Sequence, residues 1–192
     1  MEERRNYVGA ELGFNLKTDD VKINPKNGAA ISLSAKLLNN LDNDEQVEQY
    51  AASVSGYITF GAKLPVTFAF RTGYMHANGD VQFYQYPSIG NNLGLRGFRN
   101  ERFRGDHVFY QNVDLRAELV NWNNNVLPMD IGILGGFDIG KVWLNSAEEQ
   151  GKFNRGYTVG AWFNIFSLLV LQPYYSFSEE AELINFRFGF NF

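Results

Sequence analysis

The sequence predicts an all-β fold, a transmembrane antiparallel β-barrel to which this chain contributes nine strands. Three observations carry that prediction. Nine segments alternate apolar and polar residues with period two, the mark of a strand with one greasy and one polar face. The links between them alternate short and long, as periplasmic turns and extracellular loops do in outer-membrane barrels. Aromatics form 16% of the 192 residues, with 17 Phe and 10 Tyr beside 19 Gly, while the mean hydropathy is only -0.27. That combination suits an apolar outside, a polar inside and aromatic girdles better than a compact soluble core.

The strands follow in order. Val8, Ala10, Leu12, Phe14 and Leu16 alternate with Gly9, Glu11, Gly13 and Asn15. Ile31, Leu33, Ala35 and Leu37 alternate with Ser32, Ser34 and Lys36. Ala52, Val54, Gly56, Ile58 and Phe60 define the third, and Val66, Phe68 and Phe70 the fourth. After a long gap come Val113, Leu115, Ala117 and Leu119, set against Asp114, Arg116 and Glu118. Ile131, Ile133, Gly135, Phe137 and Ile139 alternate with Asp130, Gly132, Gly136 and Asp138. The seventh carries Tyr157, Val159, Ala161, Phe163 and Ile165, and the eighth Leu169, Leu171, Pro173, Tyr175 and Phe177. The ninth sets Ile184, Phe186, Phe188, Phe190 and Phe192 against Asn185, Arg187, Gly189 and Asn191.

Counting back from Phe192, one end has short links around 166–167, 123–127, 61–64 and 24–28. The other end has longer polar ones at 39–48, 77–107 and 144–155, with a short one at 178–181. Phe192 is therefore expected at the periplasmic end and the 77–107 loop outside. A soluble β-sandwich would share the alternation. It would not explain the asymmetry of the links, or inward positions rich in Gly, Ser and Asn. Nine is an odd count where single-chain bacterial barrels are even, and open sheet edges in lipid leave backbone groups unsatisfied. Further strands are expected before Met1, the alternative being closure with another chain. No apolar run reaches the length of a transmembrane helix; the longest lies at 165–171. The start Met-Glu-Glu-Arg-Arg-Asn has no apolar signal region, so the natural N-terminus is expected upstream.

Other classes are poorly supported. A formal charge of -4 gives no argument for nucleic acid. There is no cysteine, hence no disulfide or thiolate metal site. The two histidines, His76 and His107, lack metal-ligand spacing. Neither a G-x-S-x-G elbow nor a phosphate loop occurs. No cofactor, no metal and no enzymatic activity are expected.

Three segments carry a family likeness. The long loop contains Gly94-Leu95-Arg96-Gly97-Phe98, the second strand after it reads Gly136-Phe137-Asp138-Ile139-Gly140-Lys141-Val142-Trp143, and the first reads Asp114-Leu115-Arg116-Ala117-Glu118-Leu119. Together they resemble the BamA/TamA superfamily of outer-membrane assembly and secretion barrels (surface antigens among them). The likeness spans the whole chain and is sharpest over 90–143 and the last strand.

The resemblance implies a sixteen-stranded barrel in the outer membrane of a Gram-negative bacterium, with this chain as its C-terminal nine strands over 1–192. The first seven strands and the periplasmic POTRA domains would lie outside it. The loop with its [V/I/L]-R-G-[F/Y] motif would fold back into the lumen, and its Arg would pair there with the Asp of the partner strand. The implied function is insertion of outer-membrane proteins or movement of polypeptide across the membrane, through a weak seam of which the last strand forms one side. Implied partners are outer-membrane lipid, client outer-membrane or secreted polypeptides, and accessory periplasmic lipoproteins. Two alternatives stay open: a barrel that anchors or exports a fused lipase or phosphoesterase, and a passive pore, against which the lumen loop argues.

The expected site is a latch of Arg96, Gly97, Phe98, Asp138 and Glu118. A buried guanidinium needs carboxylates, and its planar fork of donors can engage Asp138 and Glu118 together. Two acids in one lumen would otherwise suit glycoside chemistry, but a neighbouring Arg favours an ion pair. Gly94 and Gly97 are expected to form tight turns. Arg99, Arg102 and Arg104 either pair with lumen acids such as Asp130 and Glu11 or stay solvated. Phe186, Phe188, Phe190 and Phe192 resemble the C-terminal signal strand read by the assembly machinery, and would equally suit a lipid-facing row. Gly189 in that strand is expected to soften its pairing.

Overall fold

The structure, a computed structural model, describes residues 6–18, 24–122, 124, 127–144 and 151–189. Nine long strands form one antiparallel sheet in chain order. They are β1 (Tyr7–Lys17), β2 (Gly28–Asn40), β3 (Gln46–Phe60), β4 (Val66–Gly79), then β7 (His107–Trp122), β8 (Met129–Trp143), β9 (Asn154–Ile165), β10 (Leu169–Ser178) and β11 (Glu182–Phe188). The long loop between β4 and β7 carries a 3-10 turn at Phe83–Gln85 and a two-stranded ribbon of β5 (Ser88–Ile89) and β6 (Phe103–Arg104). Among the described residues β1 and β11 are the two open edges, and no helix is long and apolar enough to cross a membrane.

Period-two alternation sets the two faces. One face presents Leu12, Leu33, Ile58, Leu115, Ile133 and Ile184, with exposures reaching 78% at Leu12 and 76% at Ile184. Bulky apolar side chains left open along every strand mark a surface built for lipid, since a water-facing sheet would collapse or aggregate through it. Toward the ends of this face stand Tyr50, Tyr74, Phe60 and Trp122, placed as girdle residues at the two interfaces. The opposite, lumen face carries the loop. The protein's apolar core lies there, as Ile89, Leu95 and Phe98 of the loop pack on Val108 and Tyr110 of β7.

Most strands exceed the roughly 9–11 residues that cross a bilayer, so their extracellular ends project beyond it. The 77–107 loop shortens accordingly to 80–106, because the β4–β7 ladder continues to His76↔His107 and backbone pairing holds Ala77 on Asp106. A register shift between Glu118 and Val120 bends β7 near its periplasmic end. The last strand stops at Phe188, where Gly189 takes a φ of 81° and leaves the extended region. The expected continuation through Phe190 and Phe192 lies outside the described residues. Phe186 and Phe188 face outward and are well exposed.

Candidate functional site: a loop tied to the inner wall

On the lumen face, β7 offers Tyr110, Asn112, Asp114 and Arg116 at alternate positions, and β8 offers Gly136, Asp138 and Gly140. Asn112 stands directly across from Asp138, and Asp114 across from Gly136. Two carboxylates thus share one patch of wall, and Arg96 enters it from the loop.

Asp138 grips Arg96 three times. Its Oδ2 accepts from the Arg96 backbone N and from Nε, each at 2.8 Å, and its Oδ1 accepts from Nη2 at 2.7 Å. Asp114 Oδ1 takes a further bond from Nη2 at 2.6 Å. Asn112 Nδ2 donates to Asp138 Oδ1 at 2.7 Å and to the Gly94 carbonyl at 3.2 Å, which binds the turn before Arg96 to the same wall. Asn112 Oδ1 in turn accepts from the Arg71 guanidinium. The Arg96 and Asp138 side chains are 4% and 0% exposed. Burial alone would lower the guanidinium's pKa; Asp138 and then Asp114 override it and raise it above its ordinary value. The group is a permanent cation held by two acids.

Close approach requires particular backbones. Gly94 and Gly97 take φ of 76° and 86°, left-handed values that L side chains rarely adopt. Glycine also makes room in the wall. A Cβ at Gly136 would sit 2.5 Å from Asp114 Oδ1 and 2.6 Å from Arg96 Nη2, and one at Gly156 would strike the Arg96 carbonyl. Phe98 is wholly buried and meets Phe103 edge-on at 5.3 Å, adding apolar packing to the polar grip.

The loop reaches several walls. Ser178 Oγ donates to the Gly97 carbonyl at 2.6 Å, Asn91 Nδ2 to Asn185 Oδ1 at 2.9 Å, and Gln49 Nε2 to the Gln85 carbonyl at 2.5 Å.

Glu118, expected beside Arg96, is not there. It accepts from Lys26 Nζ of the β1–β2 turn at 3.0 Å. Its partner across the ladder is Gly132, six residues from the Asn112–Asp138 pair, roughly 20 Å at strand spacing. Asp114 takes the role instead. Both acids are inward on the same strand, so period alone could not separate them; the register of β7 on β8 does. Asn112 was also missed, although its inward parity was visible.

Two of the other loop arginines form ion pairs. Arg102 Nε meets Glu180 at 2.7 Å, and Arg104 pairs with Glu101. Asp130 instead accepts from Asn121 and Asn164. Neither arginine takes Asp130 or Glu11 as its ion-pair partner. Among the described residues no cluster of His, Asp or Glu could hold a metal.

A lipid-facing antiparallel sheet with a long extracellular loop bound to its inner wall defines an outer-membrane β-barrel of the lumen-loop type. Residues 4–163 match the family model of the haemolysin secretion/activation proteins ShlB/FhaC/HecB, and the chain belongs to that family. Its members are outer-membrane transporters of polypeptides in Gram-negative bacteria, which places this chain in the outer membrane. The match upholds the superfamily inferred from the loop motif and falls on its secretion branch, without singling out BamA or TamA. Comparison with individual curated proteins gives no match.

Proposed function

We propose that this chain forms the barrel wall and lumen loop of a transporter that exports a partner polypeptide across the outer membrane, and that Arg96 is the latch holding the loop in place. The observation that carries this reading is the buried Arg96–Asp138–Asp114 set, which ties the loop to one wall of the lumen. Ordering a loop of this length costs backbone entropy at every residue, so a dedicated buried anchor argues for a loop that must stay inside. Tied to β7 and β8, the loop leaves much of the lumen face of β1–β3 uncovered, where Gly13, Ser32, Ser34 and Ser53 offer a small, polar lining. An extended chain can slide along such a wall without sticking to it.

In this reading the nine strands are part of a larger closed barrel, because lipid does not satisfy open edges. The protein binds and guides its client and performs no bond chemistry. The secretion family favours export over insertion of other barrels. Two readouts in one strain separate them. Release of the client into the medium is expected to fall in Asp138→Asn, while the outer-membrane porin level stays unchanged. Loss of porins with intact client release would overturn export in favour of assembly.

A further inference from the structure

The lipid-facing wall carries a concave furrow of about 450 Å³ crossing β1–β4, within the size range of ligand pockets. Small Ala35 and Ala52 form its floor, and Leu12, Phe14, Leu33 and Tyr50 its banks. One cross-strand row leads from it toward the loop end: Leu12↔Ala35, Ala35↔Tyr50, Tyr50↔His76, His76↔His107 and His107↔Trp143. The His76 and His107 rings stack at 4.1 Å and 7°, and Tyr50 continues the stack at 6.5 Å from His76. Lys141 stands diagonal to His107 across the β7–β8 pair, near enough to share a ligand, with its ammonium 4.9 Å from the Trp143 ring and 5.2 Å from Phe153.

This corner lies where β4 ends and β7 begins, at the extracellular interface, and its donors fit a headgroup. His76 Nδ1 faces the Asp106 carbonyl at 3.1 Å. A carbonyl only accepts, so that nitrogen carries the proton and the neutral ring keeps Nε2 as an acceptor. His107 Nδ1 lies 2.6 Å from the Tyr74 hydroxyl; with that hydroxyl donating, Nε2–H is left as a donor. One acceptor beside one donor and one ammonium matches a sugar hydroxyl beside a phosphate. We infer that this face binds a phosphorylated glycolipid of the outer leaflet, with an acyl chain in the Ala35–Ala52 furrow and the phosphate on His107 and Lys141. The Lys141 ammonium complements the phosphate charge, His107 Nε2–H donates to its oxygen, and the apolar furrow complements the chain.

The test is native mass spectrometry of the full-length protein from phosphatidylcholine micelles containing either lipid A with its phosphates or the same lipid A dephosphorylated. Wild type is expected to retain the phosphorylated form roughly tenfold better, the weight of one charge-assisted hydrogen bond. The double variant His107→Phe/Lys141→Gln keeps a ring in the stack and is expected to lose that preference. Ala52→Phe fills the furrow and is expected to lower retention of both forms alike. Heat-modified gel mobility checks that each variant is folded, and Lys141→Gln alone serves if the double variant is not. Equal retention of the two forms by wild type overturns the headgroup site, as does an undiminished preference in the folded variant. Unchanged retention in Ala52→Phe overturns the furrow as the chain's seat.

Discussion

Asp138 holds Arg96 by its backbone as well as its side chain: one oxygen, Oδ2, accepts from both the Arg96 N–H and Nε at 2.8 Å. The carboxylate therefore fixes where the loop's chain runs, and not only where one side chain points. Asp138→Asn keeps the shape, removes the charge and turns one acceptor into a donor facing donors. Removing one partner of a buried pair costs about 3–5 kcal/mol. The loop is expected to become a substrate for external protease in intact cells, with cleavage mapped by mass spectrometry to 80–106.

Reversing the pair is not expected to repair it. In Arg96→Asp/Asp138→Arg, the new acid at 96 would face Asp114, whose Oδ1 now lies 2.6 Å from Arg96 Nη2. The new arginine at 138 could not accept from the backbone N–H. A double-mutant cycle scored by heat-modified mobility should show no recovery over the singles. Full recovery would mean that Asp114 and the backbone bond contribute little.

The two acids of β7 give a sharper contrast. Asp114→Asn removes a buried carboxylate from Arg96 and is expected to loosen the loop. Glu118→Gln breaks only the Lys26 pair, whose lysine side chain is 41% exposed, and partly exposed pairs contribute about 0–1 kcal/mol. Protease sensitivity at 80–106 should rise in the first and match wild type in the second.

Glycine room in the wall can be tested without touching a charge. Gly156→Ala would push a methyl group into the Arg96 carbonyl, and overpacking costs about 1–3 kcal/mol. Gly135, on the outer face, has nothing within 4 Å of an added Cβ. Gly135→Ala should leave the unfolding temperature of the barrel on gels unchanged, whereas Gly156→Ala should lower it.

Much of this was legible in the sequence, for a physical reason. Each strand has a lipid face and a polar face, so Leu12, Leu33, Leu115 and Ile133 declare their strands through parity alone. Strand ends were harder. Residues 75–79 and 107–112 carry Met, His, Asn and Gln, which blur the alternation just where the strands leave the bilayer, so β4 and β7 run longer than the pattern suggested. Arg96 and Asp138 were visible as motif residues. The choice between Asp114 and Glu118 was not, because it depends on which residue of β7 lies opposite Asp138, and no single strand encodes its neighbour's register. The outer-face row from Leu12 to Trp143 was invisible for the same reason: it exists only across six strands.

The most direct measurement uses the absence of cysteine from the chain. A single Leu95→Cys, at a loop position now wholly buried, is treated in intact cells with a membrane-impermeant maleimide. Phe83→Cys, at a loop position 75% exposed, sets the rate for an open site. Leu95→Cys should be protected in the wild-type background and should label near the Phe83→Cys rate once Asp138→Asn is added. Equal protection with and without Asp138 would contradict the claim that this carboxylate anchors the loop in the lumen.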